Sequence, residues 1–328
     1  MNVNKKLAYG ENPHQEGYLN YNLDSPIAWD SLITEIPVSY NNISDVSVGY
    51  TLVSELLQLT QNFTSVVIIK HSGPCGVASV PKYHKDSQKL ALMKAWEGDP
   101  VSAFGSVVVF SDPLEVSTAH WLKQFFVEVV AAPKLAKGHA TLQILMEKRK
   151  NLKAFNIDQF GVVLKELRIH VPGGILSQEA DSKVGETLKS VTECNFPVEK
   201  HIAANFGIVA CRALKSNAIA IVREVPGTAG SLQLIGTGQG QPNRVDALKK
   251  LAIPRAIERI RENGGQMQDC ILISDGFFPF RDSILAAHEA GIRWIVQQGG
   301  SIKDRDTIAV CNELGIGMAF TSIRHFKN

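Results

Sequence analysis

Four short apolar runs, SVVIIK (65–70), GSVVVF (105–110), CILIS (270–274) and RWIVQQ (293–298), do most to limit the fold. They are rich in β-branched residues and read as buried strands, which need cover on both faces. Between them, SQKLALMKAWEGD and RDSILAAHEAG have helical spacing. The second begins near an Asp and ends at Gly291, as a helix C-terminus favours. Strands alternating with helices predict an α/β layered fold.

VVIIKHSGPCG and ILISDGFFPF form a faint internal echo: each sets a strand before a polar pair and a Pro-containing turn. The echo fits two copies of one α/β unit and fits the common α/β grammar equally well. Residues from about 135 to 200 are more charged and less periodic, and EKRKNLKAF within them reads as a solvated helix end. The expected division is a first α/β subdomain over 1–145, a linking helical segment over 146–200 and a second α/β subdomain over 201–328.

A chain of 328 residues that is 45% hydrophobic has enough apolar matter for a sizeable core. A net charge of +2, with 20% charged residues, gives no basic or acidic excess for nucleic acid or a membrane surface. No apolar run approaches the ~20 residues of a bilayer span, and MNVNKKLAYGENPHQ lacks a signal-peptide core. The five cysteines form no CxxC pair, so free thiols in a reducing, cytoplasmic setting are expected.

A zinc deaminase pairs H-x-E with P-C-x-x-C, leaving one metal position for water. Here Pro74–Cys75 has no second Cys and His71 no matching Glu, so no zinc site is expected. Lys70–His71 stands at the end of a strand, where α/β sites are built. His accepts a proton near neutrality and Lys stabilises an oxyanion; alternatively, the two are solvated side chains at a strand end. In WEGDPVSAFGS, Gly105 allows a ligand close to the backbone, or the stretch is an ordinary helix-to-strand turn. IGTGQGQPNRVD lacks the P-loop pattern and reads as a Gly-rich loop with one Arg. SDGFFPFRDS sets Phe277, Phe278 and Pro279 between Asp275 and Asp282, an aromatic wall with carboxylates or plain core packing. SIRHF, near the end, suggests a tail tucked into a site.

Taken in order, YGENPHQ, SYNN, IKHSGPCGVA, GDPVSAFG, FVEVVAAP, KSNAI, GQGQPNRVD, SDGFFPFRDS, QQGGSIKD and RHF closely resemble the AICAR transformylase family. The resemblance runs from residue 7 to residue 326. It implies two cytidine-deaminase-like α/β subdomains, each a three-layer α/β/α unit without the catalytic zinc. It implies transfer of the formyl group of 10-formyltetrahydrofolate to the 5-amino group of AICAR, giving FAICAR in purine biosynthesis. A homodimer with sites at the subunit interface is expected. In the family an IMP cyclohydrolase domain stands before YGENPHQ; here a stand-alone transformylase, with a separate cyclohydrolase downstream, is expected.

By the same resemblance His71 takes the amine proton, Lys70 faces the formyl oxygen and leaving nitrogen, and Asn217 orients the reacting groups. Tyr9, Asn42, Arg244, Phe277 and Arg324 match nucleotide contacts, with Arg324 the best phosphate ligand. Phe104, Gly105, Phe278, Pro279 and Asp282 match the folate side, with Asp282 accepting from the pterin. Asp275 matches a position where some members hold potassium. The chain departs from the family at Ala8, where an Arg normally grips the phosphate, and Lys6 is the expected substitute. The final imidazole of the family's tail is missing too. These departures leave two other readings: a non-catalytic nucleotide- or folate-binding homologue, and a formyltransferase with a changed acceptor.

Overall fold

The computed structural model describes residues 2–29, 37–162 and 164–328. Strands β1 (Asn2–Lys6) and β2 (Tyr18–Asn22) form an antiparallel ribbon. A first α/β unit follows: α1 (Tyr40–Leu59), β3 (Phe63–Lys70), β4 (Gly73–Pro81), α2 (Ser87–Gly98), the short α3 (Pro100–Ala103), β5 (Ser106–Phe110), α4 (Val116–Leu122), β6 (Val127–Pro133), α5 (Ala140–Met146) and β7 (Lys153–Ile157). Next come the hairpin β8 (Glu166–Val171) and β9 (Gly174–Glu179), and the short β10 (Lys189–Ser190). The second unit is α6 (His201–Arg212), β11 (Ile219–Glu224), β12 (Leu232–Gly238), α7 (Arg244–Asp246), a π-helical turn over Ala247–Ala252, α8 (Ile253–Asn263), β13 (Ile271–Ser274), α9 (Asp282–Glu289), β14 (Trp294–Gln297), α10 (Asp304–Glu313) and β15 (Gly317–Phe320).

Among the described residues eleven strands form one mixed sheet, in the order β10-β15-β14-β13-β11-β12-β4-β3-β5-β6-β7. Its two halves repeat one topology. In each, a helix leads into an antiparallel hairpin (β3–β4 or β11–β12). After another helix, one strand returns antiparallel beside the hairpin's first strand (β5 or β13). Two helix-linked parallel strands follow, β6 and β7 or β14 and β15. The counterpart of β3 is therefore β11. The sequence echo instead matches β3 to β13, whose true counterpart is β5. What repeats is the order of elements, and strands buried on both faces look too much alike to show their register.

Alternation along the strands builds three cores. Val67, Ile69, Val107 and Val109 face α1 and α6, together with Ala220, Val222, Ile271 and Ile273 of the second half. Val66, Ile68, Val108 and Phe110 face α2, α4 and α5. Ile219, Ile221, Leu272 and Ile295 face the π-turn, α8, α9 and α10. Full burial of each such side chain contributes roughly 1.5–3 kcal/mol. The apolar runs are thus strands covered on both sides, as expected.

The segment 146–200 does more than link. It supplies β7 at one edge of the sheet and β10, paired with β15, at the other. Between them it runs along the helices of the shared core: Tyr50 Oη donates to Gln159 O at 3.1 Å, and Asn205 Nδ2 to Glu186 O at 3.1 Å. No helix among the described residues is long and apolar enough to cross a membrane.

Helices lie directly on glycines of the hairpin strands. A Cβ at Gly76 would stand 2.1 Å from Ala95 O, and one at Gly238 would stand 1.9 Å from Ala247 O. Backbone cannot retreat from such a contact without moving the helix. Gly238→Ala is expected to lower the urea unfolding free energy by about 1–3 kcal/mol. A variant as stable as its parent would show that the π-turn does not rest on β12.

Candidate functional site

The antiparallel pairing of β4 with β12 places Ser79 opposite Leu232 and Ala78 opposite Gln233. β4 therefore begins where β12 ends, and a Cβ on Gly73 would lie 2.9 Å from Gln239 Nε2. Gln239 Oε1 in turn accepts from Lys215 N at 3.2 Å, two residues before Asn217. This chain of contacts brings the β3–β4 turn, with Lys70 and His71, beside the start of β11, with Asn217.

The turn is a two-residue hairpin, His71–Ser72, between Lys70 and Gly73. Both residues take left-handed backbone angles, φ 52° and φ 60°. Such turns prefer Gly, Asn or Asp, and each non-glycine residue held there costs on the order of 1–3 kcal/mol. The register shifts after Ile68, so that Cys75 is the extra residue of a β-bulge. The Pro-Cys pair that looks like half a zinc motif is this bulge. Burial pushes the Cys75 thiol up to about 12, which leaves it inert as a nucleophile. Among the described residues no three His, Cys, Asp or Glu side chains are placed to hold a metal ion.

His71 is exposed and Lys70 half-buried. The Lys70 ammonium donates to Phe104 O, and a Cβ on Gly105 would be 3.9 Å from that nitrogen. Gly105 has φ 71°, its N–H donates to Phe126 O at 2.8 Å, and Phe104 is 60% exposed. Lys70, Phe104 and Gly105 thus form one ledge.

Two residues absent from the sequence reading complete this half. Asp45 of α1 is buried, and its Oδ1 accepts the Ser72 N–H at 2.7 Å. Burial pushes its carboxyl up, while the Ser72 N–H and the charge of His71 pull the other way without overcoming it. Glu128 of β6 accepts from Asn42 Nδ2 at 3.2 Å. Asn42 also closes the capping box of α1 with Ser39, so its amide is fixed before any ligand arrives. Tyr9 is docked at the same helix start, where Tyr40 N donates to Tyr9 O at 3.1 Å. Ala8 is exposed, and Lys6 pairs with Glu16 at 2.7 Å, so the expected substitute for the missing Arg already has a partner. The sequence signal for Asp45 was a carboxylate on the buried stripe of α1, between Asn42 and Gly49.

In the second half, Asn217 Nδ2 donates to Gln241 O and Pro242 O at 3.0 and 3.1 Å. Arg244 is buried; it donates to Asp275 Oδ1 at 2.8 Å and to Phe277 O at 2.9 Å. The other Asp275 oxygen accepts from Ser216 Oγ at 2.7 Å. Arg244 and Arg324 both lie over the Phe326 ring, 5.7 and 4.5 Å from its centre, with Arg324 exposed. The Phe278 ring is fully buried in the core, and its N–H donates to Gln297 Oε1 at 2.6 Å, so its side chain presents no surface to a ligand. Pro279 is half-buried; Asp282 is exposed at the start of α9 and accepts from Ser283 N at 2.8 Å. A separate cavity of about 690 Å³, beside Lys200, Arg223 and the β11–β12 loop, lies at the other end of β11 from Asn217.

The tail is tied down as the sequence suggests, chiefly by His325, whose ring points inward. His325 N donates to Asp275 O at 2.9 Å, and its Nδ1–H donates to Asp181 Oδ2 at 2.6 Å. Asp181 also faces Arg212 at 3.4 Å, and Arg212 pairs with the buried Glu55 of α1 at 2.7 Å. Burial alone would raise the Asp181 carboxyl, but the His325 bond and Arg212 outweigh it and hold it below the usual range. A lowered pKa means stability that is present above the ordinary Asp range and is lost as pH falls through the folded value. The urea midpoint of Asp181→Asn should lie below the wild-type one at neutral pH, and the two should converge below about pH 3.9. Parallel curves across that range would remove Asp181 from the latch.

Comparison with known proteins shows the family of the chain. The family model described as AICARFT/IMPCHase bienzyme matches residues 1–255. A bifunctional purine biosynthesis protein PurH from Aquifex aeolicus is 38% identical over 326 residues, covering 99% of this chain and 59% of the relative. Proteins of the same name from Prochlorococcus marinus (strain MIT 9301) and Petrotoga mobilis are 39% and 37% identical, each over 98% of this chain. The chain spans about three-fifths of the length of these relatives. The chain therefore belongs to the AICARFT/IMPCHase bienzyme family.

Proposed function

We propose that this chain carries the formyl-transfer half of the family's chemistry, from 10-formyltetrahydrofolate to the 5-amino group of AICAR, giving FAICAR. The observation that carries the reading is the presentation of His71 at an exposed hairpin apex, with the Lys70 ammonium fixed against Phe104 O and Asn217 across the seam. The acceptor amine is conjugated with its ring, so it must lose a proton as it attacks; His71 accepts it. The Lys70 cation stabilises the tetrahedral oxyanion and the departing N10. Asn217 orients the reacting groups. Exposed Arg324, stacked on Phe326, supplies the phosphate fork, with Tyr9, Asn42 and Phe277 about the nucleotide. Arg244 shapes this wall through Asp275 and Phe277 O. We assign no potassium to Asp275, because Arg244 and Ser216 already engage its two oxygens.

Phe104 and Gly105 receive the reactive end of the folate, and Asp282, after Pro279, accepts from the pterin. Strand β5, which leaves the first of these places, and β13, which leads to the second, stand five positions apart in the sheet, roughly 24 Å at about 4.8 Å per strand. That separation supports a site shared between two copies, with Lys70 from one and Asp282 from the other. The exposed β8–β9 hairpin, with Ile169 60%, Ile175 53% and Leu176 61% accessible, offers apolar surface for such a homodimer. We read each half of the sheet as a cytidine-deaminase-like unit without zinc, and in the first half the Lys-His turn supplies the proton chemistry. The exposed, uncharged Ala8, with Lys6 held by Glu16, favours a second reading in which the acceptor lacks a standard phosphate.

Pure protein incubated with 10-formyltetrahydrofolate and AICAR should release tetrahydrofolate. His71→Ala should lower that rate by about 10²–10⁴-fold while leaving the circular dichroism spectrum unchanged. No release by the wild type would overturn the reading, and a panel of other amines would then test the changed acceptor.

A further inference from the structure

We propose that Asp45 is the positioning residue for His71: its buried carboxylate holds the His71–Ser72 turn in a conformation neither residue favours, and so aims the imidazole. The proposal borrows its activity readout from the formyl-transfer reading, but its structural readout does not depend on it.

His71 and Ser72 both carry a Cβ, and both sit in the left-handed region at φ 52° and 60°. A hairpin turn of this kind tolerates Asn-Gly best, because glycine takes positive φ freely. Histidine and serine relax toward negative φ unless something outside the turn restrains them. The restraint comes from α1. Asp45 Oδ1 accepts the Ser72 N–H at 2.7 Å, and Ser44 Oγ meets Ser72 Oγ at 3.0 Å. Asp45 is only 9% exposed and α1 is anchored along its length in the shared core, so the acceptor cannot follow a drifting turn. The charged groups about it are His71 from the turn itself and Glu128 from β6, and Glu128 is engaged with Asn42. Asp45 bonds the turn's backbone, so its effect on the reaction passes through the direction of the His71 ring.

The test compares Asp45→Asn, which keeps an acceptor oxygen, with Asp45→Ala, which removes it, each alone and combined with Ser72→Gly. Asp45→Ala should lower kcat by about 10²-fold with little change in either KM, because a misplacement near 1 Å has that effect. Asp45→Asn should fall between it and the wild type. Ser72→Gly should restore at least about tenfold of the Asp45→Ala loss, because glycine takes a positive φ without the strain that Ser72 carries. Without any substrate, the Ser72 amide should exchange hydrogen faster in Asp45→Ala than in the wild type. If Asp45→Ala does not fold, Asp45→Asn with and without Ser72→Gly gives the same comparison at smaller amplitude.

A full kcat in Asp45→Ala would overturn the proposal, as would a loss that Ser72→Gly does not relieve. If the wild type itself releases no tetrahydrofolate, the formyl-transfer reading fails and the exchange rate alone decides. An unchanged Ser72 amide would then overturn the role of Asp45, and a faster one would support it.

Discussion

The pairing of β4 with β12 joins two half-sheets that would otherwise each present a raw edge. Closing it makes one continuous face for α1 and α6, whose shared core includes Phe155 near one end of the sheet and Val296 near the other. Gln233 seals the junction: its side chain accepts from Arg223 Nε at 2.9 Å and donates to Lys94 O of α2 at 2.8 Å. Because the strands are antiparallel, the seam also fixes which ends meet. The β3–β4 turn and the start of β11 fall at the same edge, and with them Lys70, His71 and Asn217. A parallel join of the same halves would put these residues at opposite ends.

Much of this was legible in the sequence. SVVIIK, GSVVVF, CILIS and RWIVQQ are strands β3, β5, β13 and β14, because burial on both faces leaves an uninterrupted apolar run. Residues 87–98 and 282–289 are helices for the same local reason of spacing. Other features were hidden by their non-local nature. EKRKNLKAF (147–155) reads as a solvated helix end, yet from Lys153 it enters the edge strand β7, because its partner β6 decides the matter. Phe278 reads as half of an aromatic wall, yet it lies wholly inside, because its fate depends on packing under α9. The candidate site residues were visible as motifs, but what holds them was not. Asp45, Glu128 and Asp181 lie 26, 57 and 110 residues from His71 by the numbering, beyond any short pattern.

Helix α1 shows why those holding groups matter. Its buried stripe includes Asn42, Asp45 and Glu55 among Ile43, Val46, Val53 and Leu56. Burial raises both carboxyls, so ionising either one works against the folded state rather than adding to its stability. A buried ion pair such as Glu55–Arg212 often adds nothing over well-packed apolar side chains. What these groups add is geometry. Asn42 closes the capping box with Ser39 and reaches Glu128; Asp45 grips the His71–Ser72 turn; Glu55, through Arg212 and Asp181, reaches the His325 latch of the tail. Non-helical segments that hydrophobic packing cannot specify are thus referred to one rigid rod. Turns and tails have few apolar contacts of their own, so directed hydrogen bonds from a buried helix are the available means of fixing them to within the fraction of an ångström that proton transfer requires.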